Sequence, residues 1–288
     1  MSAVADVPAR PWFGGHVRLV LGAAITAAVV AMALLSLVWT PFPATRMRIA
    51  MKLKAPLEAG IAGTDALGRD IFSQLMLGAW NSLSIAILAV LFGMIVGVAL
   101  GTAAAARRGF VEETIMRFAD VIFAFPALIS AIMIAALIGS GAKTAIIAIA
   151  LFNVPVFIRV SRGLAQRVWA NDFCLAAQAA GKGGFRITVD HILPNIAGGV
   201  AIQATIHVGL AILVEAGLSF LGLSLAPPAP SWGRMLSDAG RWRLRTRIDG
   251  RDLTAVGGTV ATKKRLGRAI GHGGLVEGDE QERRRRRR

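Results

Sequence analysis

Five long apolar runs without a charged residue constrain this chain more than any other feature. They are Leu19–Trp39, Leu83–Ala106, about Val121–Ile138, Thr144–Ile158 and Ile196–Val214. A helix needs about 20 apolar residues to cross the roughly 30 Å hydrocarbon core of a bilayer. The composition agrees, with 55% hydrophobic and 17% charged residues and a mean hydropathy of +0.60. We therefore predict an all-α fold, a polytopic membrane helix bundle of about five spans.

The first run could be mistaken for a secretion signal, because Arg10 and Arg18 precede it. It is longer than a signal core, and Pro41 and Pro43 follow it instead of a small-residue cleavage site. We expect a retained span at 19–40. With the N-terminus inside, the inner segments hold ten Lys and Arg and the outer segments seven. This bias favours a cytoplasmic segment 1–18 and a periplasmic loop 41–80.

The stretch 171–195 carries charges between two apolar runs and is therefore predicted to face water on the cytoplasmic side. Asn171 or Asp172 can cap a short helix, and Gly181 can end it in the left-handed conformation. After Gly183 and Gly184, four apolar residues fall at the spacing of one helix face, and Pro194 ends this second short helix. Those four are Phe185, Val189, Ile192 and Leu193. Two short helices in a cytoplasmic loop are typical of a docking element.

The same stretch resembles the loop by which permeases of ABC importers contact their ATPase. That motif reads Glu-Ala-Ala, three residues, Gly, nine residues, then Ile-x-Leu-Pro. Five residues stand at the matching positions: Ala176, Ala177, Gly181, Leu193 and Pro194. Leu175 replaces the Glu and His191 replaces the Ile. The resemblance implies an ATPase-coupling loop at 172–195, which also includes Phe185.

Residues 63–83 and 211–235 resemble the dipeptide, oligopeptide and nickel branch of these importers, in its C-type permease subunit. The resemblance implies a MetI-like core over 81–240 in the cell inner membrane. It implies as partners a second permease subunit (a heterodimer), two cytoplasmic ABC ATPases and a periplasmic or lipoprotein solute-binding protein, in contact with membrane lipid. The expected function is the translocation path for a small solute, di- or oligopeptides above all, by alternating access.

Several residues inside the spans invite structural interpretations. Gly93, Gly97 and Gly101 repeat every four residues, which indicates close helix packing. Asp120 is interpreted as an interfacial acid and Pro126 as a kink. His207 is interpreted as a bond between helices, with a proton relay as the alternative.

The segment after the fifth run contains Pro227, Pro228 and Pro230. Such a block is stiff and extended, so we expect it to leave the helix and run along the outer surface. Trp232 is expected to anchor at the membrane interface.

Motifs of catalysis and metal binding are missing from the sequence. Ala176 and Gly183 occupy positions that a phosphate-binding loop around Lys182 would give to Gly and to Ser or Thr. Cys174 is the only cysteine, so a disulfide or a CxxC metal site cannot form within one chain. We expect no enzyme activity, no cofactor and no metal, and a small apolar role for Cys174.

Residues 241–288 hold 15 Lys and Arg against 6 Asp and Glu, and so nine of the fifteen net positive charges. They contain no apolar run, where related permeases continue into a sixth span. We expect a basic tail that is disordered, that is an added extension, or that arises from a shifted reading frame. We favour the frame shift, and then expect the five-span product to insert but to assemble poorly.

Two other functional classes remain open. An ion-coupled secondary transporter would require paired broken helices and ionisable groups at the membrane midplane, of which His207 is the sole candidate. A membrane-anchored protein could use the basic tail to bind acidic lipid or RNA. Neither class explains the 172–195 loop.

Overall fold

The computed structural model describes residues 12–241, with side-chain exposure from residue 17 onward. Residues 1–11 and 242–288, and with them the predictions for most of the N-terminal segment and the basic tail, lie outside the described residues. The helices are α1 (Trp12–Val38), α2 (Ile71–Ala106), α3 (Phe110–Ala124), α4 (Ala127–Ile138), α5 (Ala142–Trp169), α6 (Asp172–Ala179), α7 (Gly184–Ile187) and α8 (Leu193–Phe220). Residues 232–241 are also helical.

Four stretches are long and apolar enough to cross a membrane: Val17–Val38, α2, α5 and Gly184–Phe220. The bent pair α3 and α4 makes a fifth if it counts as one span. This agrees with the five spans that the sequence predicts. The fold is all-α over the described residues, and the chain is a polytopic membrane helix bundle.

The centre of the bundle is the pair α2 and α5, which form its most extensive helix–helix interface. Their buried core includes Ala86, Ala89, Ile149 and Phe157. Helix α8 packs against both, while α1 packs on α2 and leaves most of its surface exposed. Small residues dominate the shared surface because van der Waals contact at short range replaces the hydrophobic effect in lipid.

The glycine row of α2 lies directly against α5. A Cβ atom on Gly97 would lie 2.5 Å from the Phe157 Cβ atom, and one on Gly101 would lie 2.1 Å from Ser161 Oγ. On Gly93 it would lie 2.6 Å from the Asn153 Cβ atom. Any side chain larger than hydrogen would therefore push the two helices apart. The glycine row therefore serves the packing of two helices of the same chain, α2 and α5.

The third span is bent sharply at its proline. A helix ends at Ala124, α4 begins at Ala127, and the two helices are bent by 86°. Phe125 and Pro126 lie between them, and Phe125 is extended because the ring of Pro126 disfavours helical geometry in the residue before it. The kink predicted at Pro126 is thus present, and it divides the run 121–138 between two helices. Helix α4 has 12 residues and is about 18 Å long, too short to cross a bilayer alone.

Ion pairs hold α3 on α5. Arg162 Nε donates to Glu112 Oε1 at 2.6 Å, and Gln166 Nε2 donates to the same oxygen at 2.8 Å. Further along, Arg159 Nη2 donates to Asp120 Oδ1 at 2.6 Å. Asp120 is thus an exposed acid with a basic partner that sequence reasoning missed.

The loop before α2 ends earlier than predicted. Helix α2 begins at Ile71, inside the segment 41–80 that the sequence predicts as a loop. The cap is Asp70, whose Oδ2 accepts from the Ser73 amide at 2.7 Å. Asp65 instead accepts from the amides of Leu67 and Arg69 and closes the turn in which Gly68 has φ +73°.

The proline-containing segment after α8 is docked on the bundle. Asn81 Nδ2 donates to the Pro230 carbonyl at 2.7 Å, and Trp232 Nε1 donates to the Leu75 carbonyl at 3.1 Å. Ser224 Oγ donates to Glu215 Oε1 of α8 at 3.0 Å, and both residues are fully buried. The segment thus leaves the helix after Phe220, as expected, and it packs against α2 and α8 through bonds that the sequence did not predict.

Candidate functional site: the 172–195 loop

Helix α6 opens the 172–195 loop. Asn171 precedes it in an extended conformation, but its side chain makes no capping bond. The amides of Cys174 and Leu175 bond the Asn171 carbonyl instead, at 3.0 and 3.3 Å. Asp172 lies in the first turn, where a negative charge is favourable. The predicted start is correct, but the predicted side-chain cap is absent.

Gly181 ends α6 as the sequence predicts. Its φ is +81°, a left-handed value that side chains other than hydrogen disfavour. The Gly181 amide bonds the Gln178 carbonyl at 2.9 Å, and the Lys182 amide bonds the Ala177 carbonyl at 3.0 Å. This pair of bonds is the Schellman motif, which satisfies the last carbonyls of a helix.

A π-helical turn follows, and it changes the second half of the loop from what the sequence predicts. Residues Thr188–Ile192 form this turn between α7 and α8, so the chain is helical without a break from Gly184 to Phe220. Pro194 lies in the first turn of α8 and does not end a helix. A proline lacks an amide hydrogen, and a first-turn position or a widened turn tolerates that loss.

The π turn also moves the apolar face. Ile187 and Ile192 are both fully buried. They are five residues apart, the spacing that a π turn places on one side. Phe185 is 83% exposed and Val189 is 45% exposed, so the predicted stripe of Phe185, Val189, Ile192 and Leu193 is not a single buried face.

The loop is packed tightly on the ends of two spanning helices. Cys174, Ala177, Ile187 and Ile192 belong to one core with residues of α5 and α8. Burial raises the pKa of the Cys174 thiol, so this residue is an unreactive packing group. The loop and the ends of α5 and α8 thus share one close-packed core.

A cluster of polar side chains connects the turn at Gly181 to the π-helical turn Thr188–Ile192. Lys182 Nζ lies 3.3 Å from His191 Nε2 and 3.5 Å from a carboxylate oxygen of Asp190. Arg186 Nε lies 3.6 Å from the same carboxylate oxygen. The His191 ring contacts the Phe173 ring edge to face, with centroids 6.1 Å apart. His191, which replaces an Ile of the motif, thus joins α6 to the start of α8.

The motif residues therefore divide into two groups. Ala177 is buried, whereas Ala176 and Gly181 are exposed. Leu175, which replaces the motif's Glu, is 52% exposed, and Phe173 is 44% exposed. The face that the loop presents to the solvent is therefore largely apolar, with the cations Lys182 and Arg186 beside it.

His207 lies away from the loop, in the middle of α8. Its Nδ1 is 2.7 Å from Asn153 Oδ1 of α5. Asn153 Nδ2 donates to the Ile149 carbonyl, so the oxygen is the acceptor and His207 Nδ1 carries the proton. The partner is an amide and not a carboxylate, which agrees with a bond between helices.

Comparison with known proteins places this arrangement in context. Residues 89–261 match the family described as "Binding-protein-dependent transport system inner membrane component". The match includes α5, the 172–195 loop and α8. It extends to residue 261, beyond residue 240 at which we expected the resemblance to end.

Two curated relatives illustrate the likeness. A glutathione transport system permease protein of Pectobacterium atrosepticum is 38% identical over 186 residues, covering 65% of this chain and 62% of that protein. A dipeptide transport system permease protein of Alkalihalophilus pseudofirmus is 40% identical over 188 residues, with the same two coverages. The chain thus spans about 62% of the length of these relatives.

Among solved structures, an inward-facing MetNI methionine ABC transporter chain superposes with a TM-score of 0.51 at 18% sequence identity. The superposition covers 58% of this chain and 81% of that one. It supports the fold.

Proposed function

Since the chain belongs to the family of binding-protein-dependent transport system inner membrane components, we propose that it is the permease subunit of an ABC importer. It lies in the inner membrane and forms part of the path of a small solute. Separate ATPase subunits hydrolyse ATP, a second permease completes the path, and an external binding protein delivers the solute. The solute is a short peptide.

The observation that carries this proposal is the construction of the 172–195 loop. It presents the exposed residues Leu175, Ala176 and Phe185 while its other face is locked into the ends of α5 and α8. A partner that pushes on such a loop moves two spanning helices at once. The chain is helical without a break from Gly184 to Phe220, so a displacement of the loop is transmitted along this helix across the membrane.

Co-purification with the ATPase subunits tests the role of the loop. Gly181→Ala places a side chain at φ +81°, whereas Gly183 has φ −68° and tolerates Ala; both sites have open space around them. We expect Gly181→Ala to weaken ATPase capture and the stronger Gly181→Pro to abolish it, because proline also removes the amide bonded to Gln178. Gly183→Ala is the matched control. Equal capture by all three variants would remove the docking assignment.

A charge on the exposed face is a second test. Ala176→Arg should reduce ATPase capture without loss of membrane insertion, because Ala176 is exposed. Ala177→Arg is a poorer test, since Ala177 is buried and the variant disrupts the packing of the loop itself.

Uptake measurements test the solute class. The relatives are named for dipeptide and glutathione transport, and glutathione is itself a short peptide. Deleting the gene should abolish uptake of labelled dipeptide, oligopeptide or glutathione, and the wild-type gene should restore it. Unchanged uptake of all three, with nickel as a non-peptide comparison, would leave an importer of another solute.

A further inference from the structure

A groove of about 940 Å³ lies between the last turns of α2 and the start of α8, beside the 172–195 loop. Its walls are apolar and include Met94, Val98, Ala103, Phe185, Val189 and Leu193. Phe185 is 83% exposed here, and Ile95 on the α2 wall is 60% exposed. In the described part of the chain nothing covers this surface, and the proposed docking role accounts only for Phe185.

One cation stands at the mouth of the groove. Arg107 follows the last residue of α2 and lines the groove, whereas its neighbour Arg108 does not. Both side chains are exposed, and among the residues that the structure describes no carboxylate pairs with either. The groove thus combines an unneutralised positive charge at one end with apolar walls along its length.

The dimensions of the groove distinguish between possible occupants. Along α2 it runs from Met94 to Arg107, which at 1.5 Å per residue is about 20 Å. One leaflet of a bilayer contributes roughly half of the 30 Å hydrocarbon core, or about 15 Å. A membrane-crossing helix needs the whole thickness, while a single acyl chain needs one leaflet. The length therefore favours a lipid chain.

The level of the groove in the membrane gives the position of the headgroup. Arg107 lies at the end of a spanning helix and on the same groove as Phe185 and Val189 of the 172–195 loop. If the loop faces the cytoplasm, which rests on the proposed function, Arg107 lies at the cytoplasmic interface. Anionic phospholipids are concentrated there, and basic residues attract their headgroups.

We propose that this groove binds an anionic phospholipid of the cytoplasmic leaflet, with its phosphate on Arg107 and one acyl chain along α2 and α8. The lipid fills the apolar space beside the 172–195 loop and neutralises the cation at its mouth. The bound lipid thus covers the apolar surfaces of α2 and α8 beside the loop.

Lipid retention by the purified full chain tests the proposal without any ATPase. The chain is placed in detergent micelles doped with phosphatidylglycerol or with phosphatidylcholine, and bound lipid is counted by native mass spectrometry. We expect wild type and Arg108→Gln to retain phosphatidylglycerol in preference to phosphatidylcholine. Arg107→Gln should retain about fivefold less phosphatidylglycerol, as the loss of roughly 1 kcal/mol from one basic contact predicts.

A second pair of variants tests the groove itself. Ala103→Trp fills it, whereas Leu91→Trp adds the same bulk to an exposed α2 position outside it. Of these two variants, only Ala103→Trp should lower the retention of both lipids. Equal loss with Arg107→Gln and Arg108→Gln, or no loss with Ala103→Trp, would overturn the proposal. A photoreactive residue at position 103 that crosslinks in membranes to a polypeptide instead of phospholipid would also overturn it, in favour of a bound helix. ATPase capture is measured separately, so failure here leaves the proposed function untouched.

Discussion

At the scale of single residues, small and polar groups set the distances and angles between the helices. Gly93, Gly97 and Gly101 allow α2 to touch the backbone of α5. The His207–Asn153 bond ties α8 to α5 at one point in the apolar interior. Both features depend on atoms from distant parts of the chain.

Gly101→Ala should destabilise the bundle. The added Cβ atom would lie 2.1 Å from Ser161 Oγ and 2.5 Å from the Ile158 carbonyl oxygen, so the backbone of α5 must move. We expect a loss of about 1–3 kcal/mol, the usual cost of overpacking. Gly209→Ala is the control, because nothing lies within 4 Å of that position. Unfolding midpoints in detergent measure both, and equal midpoints would contradict the close packing of α2 on α5.

The His207–Asn153 bond should show a measurable coupling. In a double-mutant cycle with His207→Leu and Asn153→Leu, we expect a coupling free energy of about 0.5–1.5 kcal/mol, typical of bonds between helices in membranes. Transport should persist in His207→Gln, which keeps a donor. Loss of transport in that variant, together with normal stability, would support the proton-relay interpretation instead.

Sequence patterns predicted these residue features unevenly. The four-residue repeat of glycines identified the packing face, because local periodicity encodes which side of a helix is small. The partner of His207 could not be predicted, since Asn153 is 54 residues away and only the fold brings the two together.

At the scale of elements, the two departures from regular helices are the bend between α3 and α4 and the π turn before α8. The bend is local and Pro126 signals it, so the sequence located it but not its 86° angle. The π turn carries no sequence signal besides Pro194. It places Ile192 in the core beside Ile187, while Phe185, Val189 and Leu193 share the groove described above, so three of the four residues of the predicted stripe lie on one face.

Helix α3 should depend on its ion pairs with α5. Arg162→Ala removes the charged partner of Glu112, whose side chain is only 17% exposed and keeps only Gln166 as a donor, and should cost about 1–3 kcal/mol. Arg117→Ala breaks the pair with Glu113, in which both side chains are at least 65% exposed, and should cost under about 0.5 kcal/mol. Thermal unfolding of the two variants in detergent provides the comparison. Equal shifts would show that α3 is held by its apolar contacts alone.

At the scale of the whole molecule, the chain joins the 172–195 loop to spanning helices through one continuous core. Composition, run length and motif spacing predicted the number of spans, the membrane location and the position of the loop. They did not predict the docking of the 221–237 segment on α2, because its bonds join residues about 150 positions apart.

The central claim is that the 172–195 loop contacts an ATPase, and site-directed crosslinking tests it most directly. Cys174 is the only cysteine, so Cys174→Ala gives a background into which single cysteines can be placed. Ala176→Cys lies on the exposed face of α6, and Leu221→Cys, 54% exposed, lies at the opposite end of α8. Each is labelled with a photoreactive maleimide in membranes that contain the co-expressed ATPase subunits. We predict a crosslink to the ATPase from position 176 and none from position 221; no crosslink from position 176, or equal crosslinks from both, would contradict the account.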